Sequence, residues 1–318
     1  MERCFKKYYQ VAGHIFSVQS SNSALLEMLI NYQPFDITND CNDYIETIFV
    51  LHLELDKLLS PEQRDDYTQL FIDNSEEDMP RIEVYQTKDN KQKIGEDAEW
   101  LIRISQIANV PICCELQSNR DFTQGMLRIA TDYQDIRFCI DNALMLMYAF
   151  RTAPLKTLEM HAAVVVKQDE NEFGYLFLGH SGTGKSTHAR QWLQAFSDAW
   201  LLNDDNPILR IMDDGEIRVY GSPWSGKTPC YKNAYAPVGG IVKLSQAPCN
   251  VMQPLSLPQA YAYIYSSASG LKMIQKMADH LYESIKYIIT NIKCYHLDCL
   301  PHKDAAITCW RGIRDNGL

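Results

Sequence analysis

The sequence predicts two domains: a β-rich α+β domain over residues 1–153, then an α/β domain with a mixed sheet over residues 154–318. Before Pro154, short segments rich in β-branched and aromatic residues follow one another. After Pro154, an apolar segment, a glycine-rich loop and a helix-forming segment occur in succession. A chain of 318 residues is long enough for two domains of ordinary size. We place the boundary at Pro154 because proline ends the helix predicted before it.

The first domain is expected to be an antiparallel sheet with little helix. Strands are predicted in the stretches YYQVAGHIFSV, ETIFVLHLEL, RIEVYQT, WLIRISQI, PICCELQ and MLRIAT. The stretch TKDNKQKIG between two of them is typical of a hairpin connection. One helix is predicted at SALLEMLINY, and a second over Cys139–Ala153, where helix formers continue without a turn residue.

The second domain alternates strands and helices. LEMHAAVVVKQ and YLFLG predict buried strands, and KSTHARQWLQAFSDA after the glycine-rich loop predicts a helix. WLLNDDNPIL and GGIVKL predict further strands. LKMIQKMADHLYESIKYIITNIK has the apolar stripe of an amphipathic helix, so we assign its Met and Ile residues to the core.

Composition restricts the partners. Residues 1–150 carry 25 acidic and 13 basic side chains, and the remainder carries 15 and 17, within a net charge of −10. The acidic half repels nucleic acid, whereas the nearly neutral half admits a polyanion such as ATP. No apolar run reaches membrane-spanning length, and the first residues lack the pattern of a signal peptide. We therefore expect a cytoplasmic protein that binds neither nucleic acid nor membrane, and the sequence leaves homo-oligomerisation open.

The ten cysteines show no repeating pattern, and Cys113 and Cys114 are adjacent. In a chain of this length we expect reduced and mostly buried thiols. The stretch CYHLDCLPH offers four candidate zinc ligands, but no second ligand pair follows at zinc-finger spacing, so a plain strand and turn is expected there. Those four residues are Cys294, His296, Cys299 and His302.

The stretch GHSGTGKSTHARQWL, Gly179–Leu193, has the spacing of a phosphate-binding loop, G-x-x-x-x-G-K-[ST]. Its backbone N–H groups can converge on phosphate oxygens only if the chain turns tightly, which Gly182 and Gly184 permit. Lys185 would bring charge to the β- and γ-phosphates, and the Ser186 hydroxyl is a hard ligand for Mg²⁺. A chance glycine turn beside a surface lysine is the alternative.

The loop therefore predicts a site for ATP and Mg²⁺, although ATP and GTP are not distinguished. The residues expected to bind the nucleotide are Gly179, His180, Ser181, Gly182, Thr183, Gly184, Lys185, Ser186 and Thr187.

A second candidate element is WLLNDDNPIL, Trp200–Leu209, in which an apolar segment ends in Asp204 and Asp205. One carboxylate can bind Mg²⁺ while its neighbour, raised in pKa, accepts a proton from an attacking hydroxyl. We assign Asp204 as the base and Asp205, with Ser186, as the metal ligand; the exchanged assignment stays open. The residue types of Asn-Asp-Asp-Asn-Pro are also common in turns, so an ordinary turn is the alternative.

The stretch Val219–Leu244 is the candidate acceptor-side element. Its glycines and prolines shape a loop, Trp224 offers a flat apolar surface, and Lys227 and Lys232 can meet developing negative charge. We assign Lys227 a contact with phosphate or acceptor. A loop that merely connects two strands is the alternative.

The segments HAAVVV, FLGHSGTGKSTHARQW and LLNDDNPI, in this order, resemble the catalytic domain of the HPr kinase/phosphorylase family, whose superfamily also holds phosphoenolpyruvate carboxykinase. The resemblance covers about residues 155–245. It implies a P-loop kinase-like fold and ATP-dependent transfer of the γ-phosphate to a hydroxyl. A histidine on the strand before the loop recurs in this family, which implies a catalytic role for His161. Without the family pattern, His161 would read as a half-buried strand histidine.

The chain departs from that family in its first 150 residues and lacks the downstream signature that contacts the protein substrate. The resemblance therefore implies serine, free or in a peptide or protein, as the acceptor class. It does not imply that HPr itself is the substrate of this chain. Two other functions are considered. A lyase of the carboxykinase type needs a transition-metal site and basic residues for a dicarboxylate, which the sequence does not display. A non-catalytic ATP sensor or scaffold would have no use for the aspartate pair.

Overall fold

The structure is a computed structural model that describes residues 4–40, 45–73, 80–88, 98–168, 171–226 and 228–315. The chain divides into two compact units, Met1–Arg151 and Thr152–Leu318. The first unit is β-rich and the second is a mixed α/β fold, which confirms the coarse fold class predicted from the sequence. Among the described helices, none has both the length and the apolar character needed to cross a bilayer.

The first unit is built on one eight-stranded sheet. Its strands are β1 (Phe5–Val11), β2 (His14–Ser20), β3 (Val50–Leu55), β4 (Tyr67–Asp73), β5 (Arg81–Thr87), β6 (Ala98–Ser105), β7 (Cys114–Asn119) and β8 (Gln124–Ile129). Its α-helices are α1 (Ser23–Glu27), α2 (Pro61–Arg64) and α3 (Ile136–Thr152), and it has 3₁₀ helices at Ile30–Phe35 and Thr38–Asp40.

The prediction of a purely antiparallel sheet was wrong for this unit. The strand order is β1-β2-β3-β8-β7-β6-β5-β4, and β3 is parallel to both β2 and β8. Parallel neighbours need long crossover connections, and α1 with the 3₁₀ helices supplies one between β2 and β3. The stretch expected to be a single first strand is instead the β1–β2 hairpin, turning at Ala12 and Gly13 with positive φ. TKDNKQKIG lies mostly outside the described residues.

The second unit is built on a nine-stranded sheet. Its strands are β9 (Thr157–Glu159), β10 (Ala162–Gln168), β11 (Glu172–Leu178), β12 (Ala199–Asp205), β13 (Ile208–Ile211), β14 (Ile217–Tyr220), β15 (Tyr235–Gln246), β16 (Val251–Pro254) and β17 (Cys294–Cys299). Its α-helices are α4 (Lys185–Ala195), α5 (Leu257–Ser267), α6 (Gln275–Asn291) and α7 (Lys303–Asp315), preceded by a 3₁₀ turn at Ala153–Leu155.

Strand β15 joins the two halves of this sheet. Along one edge it is parallel to β11, and along the other it pairs first with β14 and then, in parallel, with β17. The strand order is β12-β10-β11-β15 on the side of the glycine-rich loop. Six successive residues of β10 are buried, as expected for a strand covered on both faces.

The register of β10 determines which chain ends meet. Strand β10 runs antiparallel to both β11 and β12, and Ala162 at its start lies opposite Leu178 on one side and Asp205 on the other. Leu178 is the last residue of β11 before the loop, and Asp205 is the last residue of β12. The loop and the aspartate pair therefore emerge at one edge of the sheet, with β10 between them.

The core of the second unit fixes α4 against the sheet. Trp192 of α4 is fully buried, and its ring centroid lies 5.2 Å from that of Tyr175 and 5.4 Å from that of Phe177 on β11. Trp310 of α7 packs at 6.0 Å in an edge-on arrangement. Offset and edge-on aromatic contacts add to the free energy gained from burial.

Replacing Trp192→Ala should lower the free energy of unfolding of the second unit by about 3–5 kcal/mol, because a large cavity would remain under α4. Denaturant unfolding followed by far-UV circular dichroism measures this loss, since that signal does not depend on the deleted indole. Met273→Ala, at a side chain that is 45% exposed, serves as the control and should change stability by less than about 0.5 kcal/mol. Equal losses in the two variants would contradict this account of the core.

Candidate functional site

The glycine-rich loop joins β11 directly to the first turn of α4. Gly182 has φ +74° and Gly184 has φ +105°, a region that residues with a side chain rarely adopt. Gly184 is the N-cap of α4, so Lys185 is the first helical residue. The strand, loop and helix predicted from the sequence are thus present. The positive end of α4 and its unsatisfied N–H groups face the loop, an arrangement suited to an anion.

Lys185 lies across the inside of this loop. Its Nζ donates hydrogen bonds to the carbonyl oxygens of Gly179 (2.9 Å) and His180 (3.3 Å), and the residue is only 8% exposed. Its charge favours the ionised form of the Asp205 carboxyl and disfavours the protonated form of the His161 ring. The predicted lysine is therefore within electrostatic reach of two other predicted site residues.

Asp205 and His161 meet at the edge of the sheet. His161 Nε2 lies 3.6 Å from Asp205 Oδ1. Burial raises the pKa of Asp205, the neighbouring Asp204 charge raises it further, and Lys185 opposes both. Burial, with the charges of Lys185 and His180, lowers the pKa of His161 to about 4. His161 is therefore neutral near pH 7, and its contact with Asp205 is a polar contact rather than an ion pair.

The two aspartates have different surroundings. Asp204 is 5% exposed, whereas the side chain of Asp205 is 38% exposed. Consecutive residues on a strand point to opposite faces, so the two carboxylates do not share one direction. The segment after β14 returns to this strand end, because Gly226 N donates to Asp204 O (2.7 Å) and Ser225 bridges to Asp205. Lys227 follows that contact in the chain but lies outside the described residues.

The expectation for Trp224 was wrong. The residue is 2% exposed, and its carbonyl oxygen accepts a hydrogen bond from Asn203 Nδ2 (3.0 Å), so it is part of the fold and offers no flat surface to an acceptor. Lys232 is also placed differently. Its Nζ donates to Leu201 O (2.7 Å) and lies 4.7 Å from the ring of Trp200, both in the first half of β12.

Lys243 is a site residue that the sequence reasoning missed. It lies opposite Leu178 in the β11–β15 register, and burial lowers the pKa of its amine. It lines a cleft of about 70 Å³ beside the loop. The other residues that line this cleft are His161, Gly179, His180, Ser266 and Ser267. The sequence signal that could have identified Lys243 was the occurrence of a charged residue inside the apolar stretch GGIVKL.

A cleft of this size holds a group of a few heavy atoms, whereas pockets for whole ligands of drug size occupy about 300–1,000 Å³. Gln246, at the end of β15, contacts the loop through its side chain. Its Nε2 donates to Gly182 O (3.2 Å) and Thr183 O (3.4 Å). Nothing in the sequence pattern had distinguished this glutamine.

Glu159 is a second missed residue, and it is buried directly behind the site. Burial raises the pKa of this carboxyl to about 8, the charge of Asp205 raises it further, and Ser269 Oγ, 3.5 Å from Oε1, opposes the shift. Its Oε2 has no hydrogen-bond partner within the described part of the chain. A glutamate between the apolar neighbours Leu158 and Met160 was the sequence signal.

No protein-family model matches the chain, and no curated protein matches its sequence. The candidate site therefore depends on the geometry given above.

The stretch CYHLDCLPH forms strand β17 and the turn after it, as the sequence predicted. His296 Nε2 contacts Ser245 Oγ (2.9 Å) and lies 3.5 Å from Asp298 Oδ1.

The buried Glu159 should make the stability of the protein fall as pH rises. Its ordinary pKa is 4.5 and its pKa in the fold is about 8, so between these values the folded chain holds a proton that the unfolded chain has lost. The free energy of unfolding then decreases with increasing pH by roughly 1 kcal/mol per unit from this group alone. Below about pH 6.5 the lowered pKa values of His161 and His188 act in the opposite direction, so the measurement is made between about pH 7 and 8. Denaturant unfolding in metal-free buffer over that range should show a shallower decrease for Glu159→Gln than for wild type.

Glu283→Gln, which removes an exposed carboxylate of α6, is the matched control for that experiment and should follow the wild-type slope. Parallel pH profiles for Glu159→Gln and wild type would refute the assignment of a protonated Glu159.

Proposed function

We propose that the second unit is an ATP- and Mg²⁺-dependent kinase that transfers the γ-phosphate to a hydroxyl group, with serine, free or in a peptide, as the acceptor class. The observation that carries this proposal is the register of β10, which brings the loop with Lys185, His161 and Asp205 to one edge of the sheet. The resemblance to the HPr kinase catalytic domain supports the choice of ATP and of a hydroxyl acceptor.

The loop residues Gly179–Thr187 provide what a phosphate chain requires. Glycines in positive φ let successive N–H groups turn toward one anion, and the N-terminus of α4 adds its dipole. Lys185 already donates to loop carbonyls, so it can exchange these acceptors for β- and γ-phosphate oxygens without leaving the loop. Lys243 adds a second positive charge at the adjoining cleft.

The donor set fits Mg²⁺, which prefers hard oxygen ligands. The Ser186 hydroxyl and one carboxylate of the aspartate pair would hold it. The charge of Asp204 raises the pKa of Asp205, and a divalent cation relieves this repulsion. When bound, Mg²⁺ supplies charge neutralisation on the phosphate oxygens.

In the proposed transfer, a carboxylate of the pair accepts the acceptor's hydroxyl proton as the hydroxyl oxygen attacks the γ-phosphorus. The new O–P bond forms, the bond from the γ-phosphorus to the bridging oxygen breaks, and ADP leaves with that electron pair. The exposures of the two carboxylates favour Asp205 as the base, which exchanges the assignment made from the sequence. Neutral His161 can hold Asp205 in place through Nε2. The role of Lys227 stays a prediction.

The decisive experiment follows label from γ-³²P-ATP with Mg²⁺ into free serine, serine-containing peptides and bacterial lysate. Wild type should label an acceptor, and Lys185→Ala and Asp205→Asn should each lose at least about 10²-fold in rate, because a charge clamp or a base contributes that much. Asp204→Asn is run in parallel, since a greater loss in this variant would restore the original assignment of the base. Lys276→Ala, at an exposed lysine of α6, is the matched control and should keep full activity.

A wild-type protein that binds ATP tightly yet labels and hydrolyses nothing would replace the kinase proposal with a nucleotide sensor. Turnover that depends on manganese and oxaloacetate would replace it with the lyase.

Lys243→Met should weaken transfer by about 10- to 100-fold, because a hydrogen bond to a charged group contributes about 1.5–3 kcal/mol. Steady-state kinetics with ATP and acceptor varied separately would show which substrate the amine contacts. Lys276→Met is the matched control, since it removes a lysine charge from the surface of the same unit. Unchanged constants in Lys243→Met would exclude this lysine from the site.

A further inference from the structure

Three cysteines of the first unit converge in its interior. Cys113 precedes β7, Cys114 is the first residue of β7, and Cys139 lies in the first turn of α3. Their Sγ atoms all lie within 4.8 Å of one another, and Cys139 Sγ is 3.7 Å from Cys113 Sγ. All three are almost fully buried. Over the residues that the structure describes, no other group of three His, Cys, Asp or Glu ligand atoms is this close.

The separation of these sulfurs matches a metal centre better than a disulfide. Thiolate sulfurs about 2.3 Å from a metal lie about 4 Å apart in a trigonal arrangement and slightly closer in a tetrahedral one. A disulfide requires sulfurs at about 2.0 Å, far shorter than the observed Cys113–Cys139 distance. Three sulfurs within 4.8 Å of one another also exceed what a single disulfide would use.

The cluster lies in an interior that is closed to water, since Cys113 is 2% exposed and Cys114 and Cys139 are fully buried. An ionised sulfur in such an interior is stable only when a cation offsets its charge, and a metal ion bound between the three sulfurs would supply that charge.

We propose that Cys113, Cys114 and Cys139 form a binding site for one thiophilic d¹⁰ cation, Cu⁺ or Zn²⁺. A donor set of sulfur alone selects such soft metals over Mg²⁺ or Ca²⁺. Binding displaces thiol protons, so affinity rises with pH as protons are released. Because Cys139 belongs to α3 while Cys114 begins β7 and Cys113 directly precedes it, the metal would cross-link helix to sheet within the first unit. The site is independent of the proposed kinase function.

The test uses the full chain, reduced and stripped of metal, titrated separately with Cu⁺ against a chromogenic chelator and with Zn²⁺ against a fluorescent indicator. One equivalent should saturate the protein, with sulfur-to-metal charge-transfer absorption in the case of Cu⁺. The metal that competes at the lower free concentration identifies the occupant. Cys139→Ser should lower its affinity by more than about 100-fold, because even residues that only support a ligand contribute 10- to 100-fold.

The exposed thiols Cys4 and Cys249 provide matched controls, so Cys4→Ser and Cys249→Ser should bind as wild type does. Thermal unfolding by circular dichroism checks that each variant folds. If Cys139→Ser fails to fold, X-ray absorption on metal-loaded wild type decides, and it should show three sulfur neighbours at about 2.3 Å.

Equal affinity in Cys139→Ser and wild type, or a metal surrounded by nitrogen and oxygen only, would overturn the proposal. A reduced wild-type chain that binds neither metal would overturn it as well, and a Cys113–Cys139 disulfide formed by that chain under mild oxidant would assign the cluster to redox chemistry.

Discussion

The antiparallel pairing of β10 with both β11 and β12 is the constraint on which the candidate site depends. Backbone hydrogen bonds set this register, and they place Ala162 between Leu178 and Asp205. A shift by one residue would exchange the two buried faces of β10 and move Ala162 out of line with Leu178 and Asp205, so the fit of the apolar side chains on both faces specifies the register. The edge where the loop and the aspartates emerge is therefore fixed by the same packing that stabilises the sheet.

At that edge, side chains of opposite charge lie near one another and are partly buried. Two lysines, Lys185 and Lys243, lie near the two aspartates, and burial raises the pKa of Asp205 and lowers that of Lys243. Perturbed pKa values that cluster in a cleft are typical of functional sites. Glu159 adds a carboxyl that is protonated below about pH 8, so it can lie behind Asp205 without a second full negative charge. Burying these charged groups costs free energy. The packing of Trp192 and its aromatic neighbours, which holds α4 in place, offsets that cost.

In the first unit, too, distant parts of the chain bring reactive side chains together. Its sheet combines parallel and antiparallel pairs, and its interior contains three thiols that converge between β7 and α3. In the sequence, Cys113 and Cys114 read as ordinary buried cysteines, while Cys139 was simply part of a predicted helix. Their meeting depends on contacts between residues about 25 positions apart, which no local pattern encodes.

The sequence by itself determined the strand, loop and helix around Lys185, and the position of the aspartate pair at a strand end, because these features depend on local residue types and spacing. Tertiary structure alone decided that β10 separates β11 from β12, that Trp224 is buried, and that Lys243 and Glu159 join the site. Strand order and register arise from long-range pairing and from the burial of whole faces. A charged residue in an apolar strand signals that it needs a partner, but only the folded sheet supplies that partner.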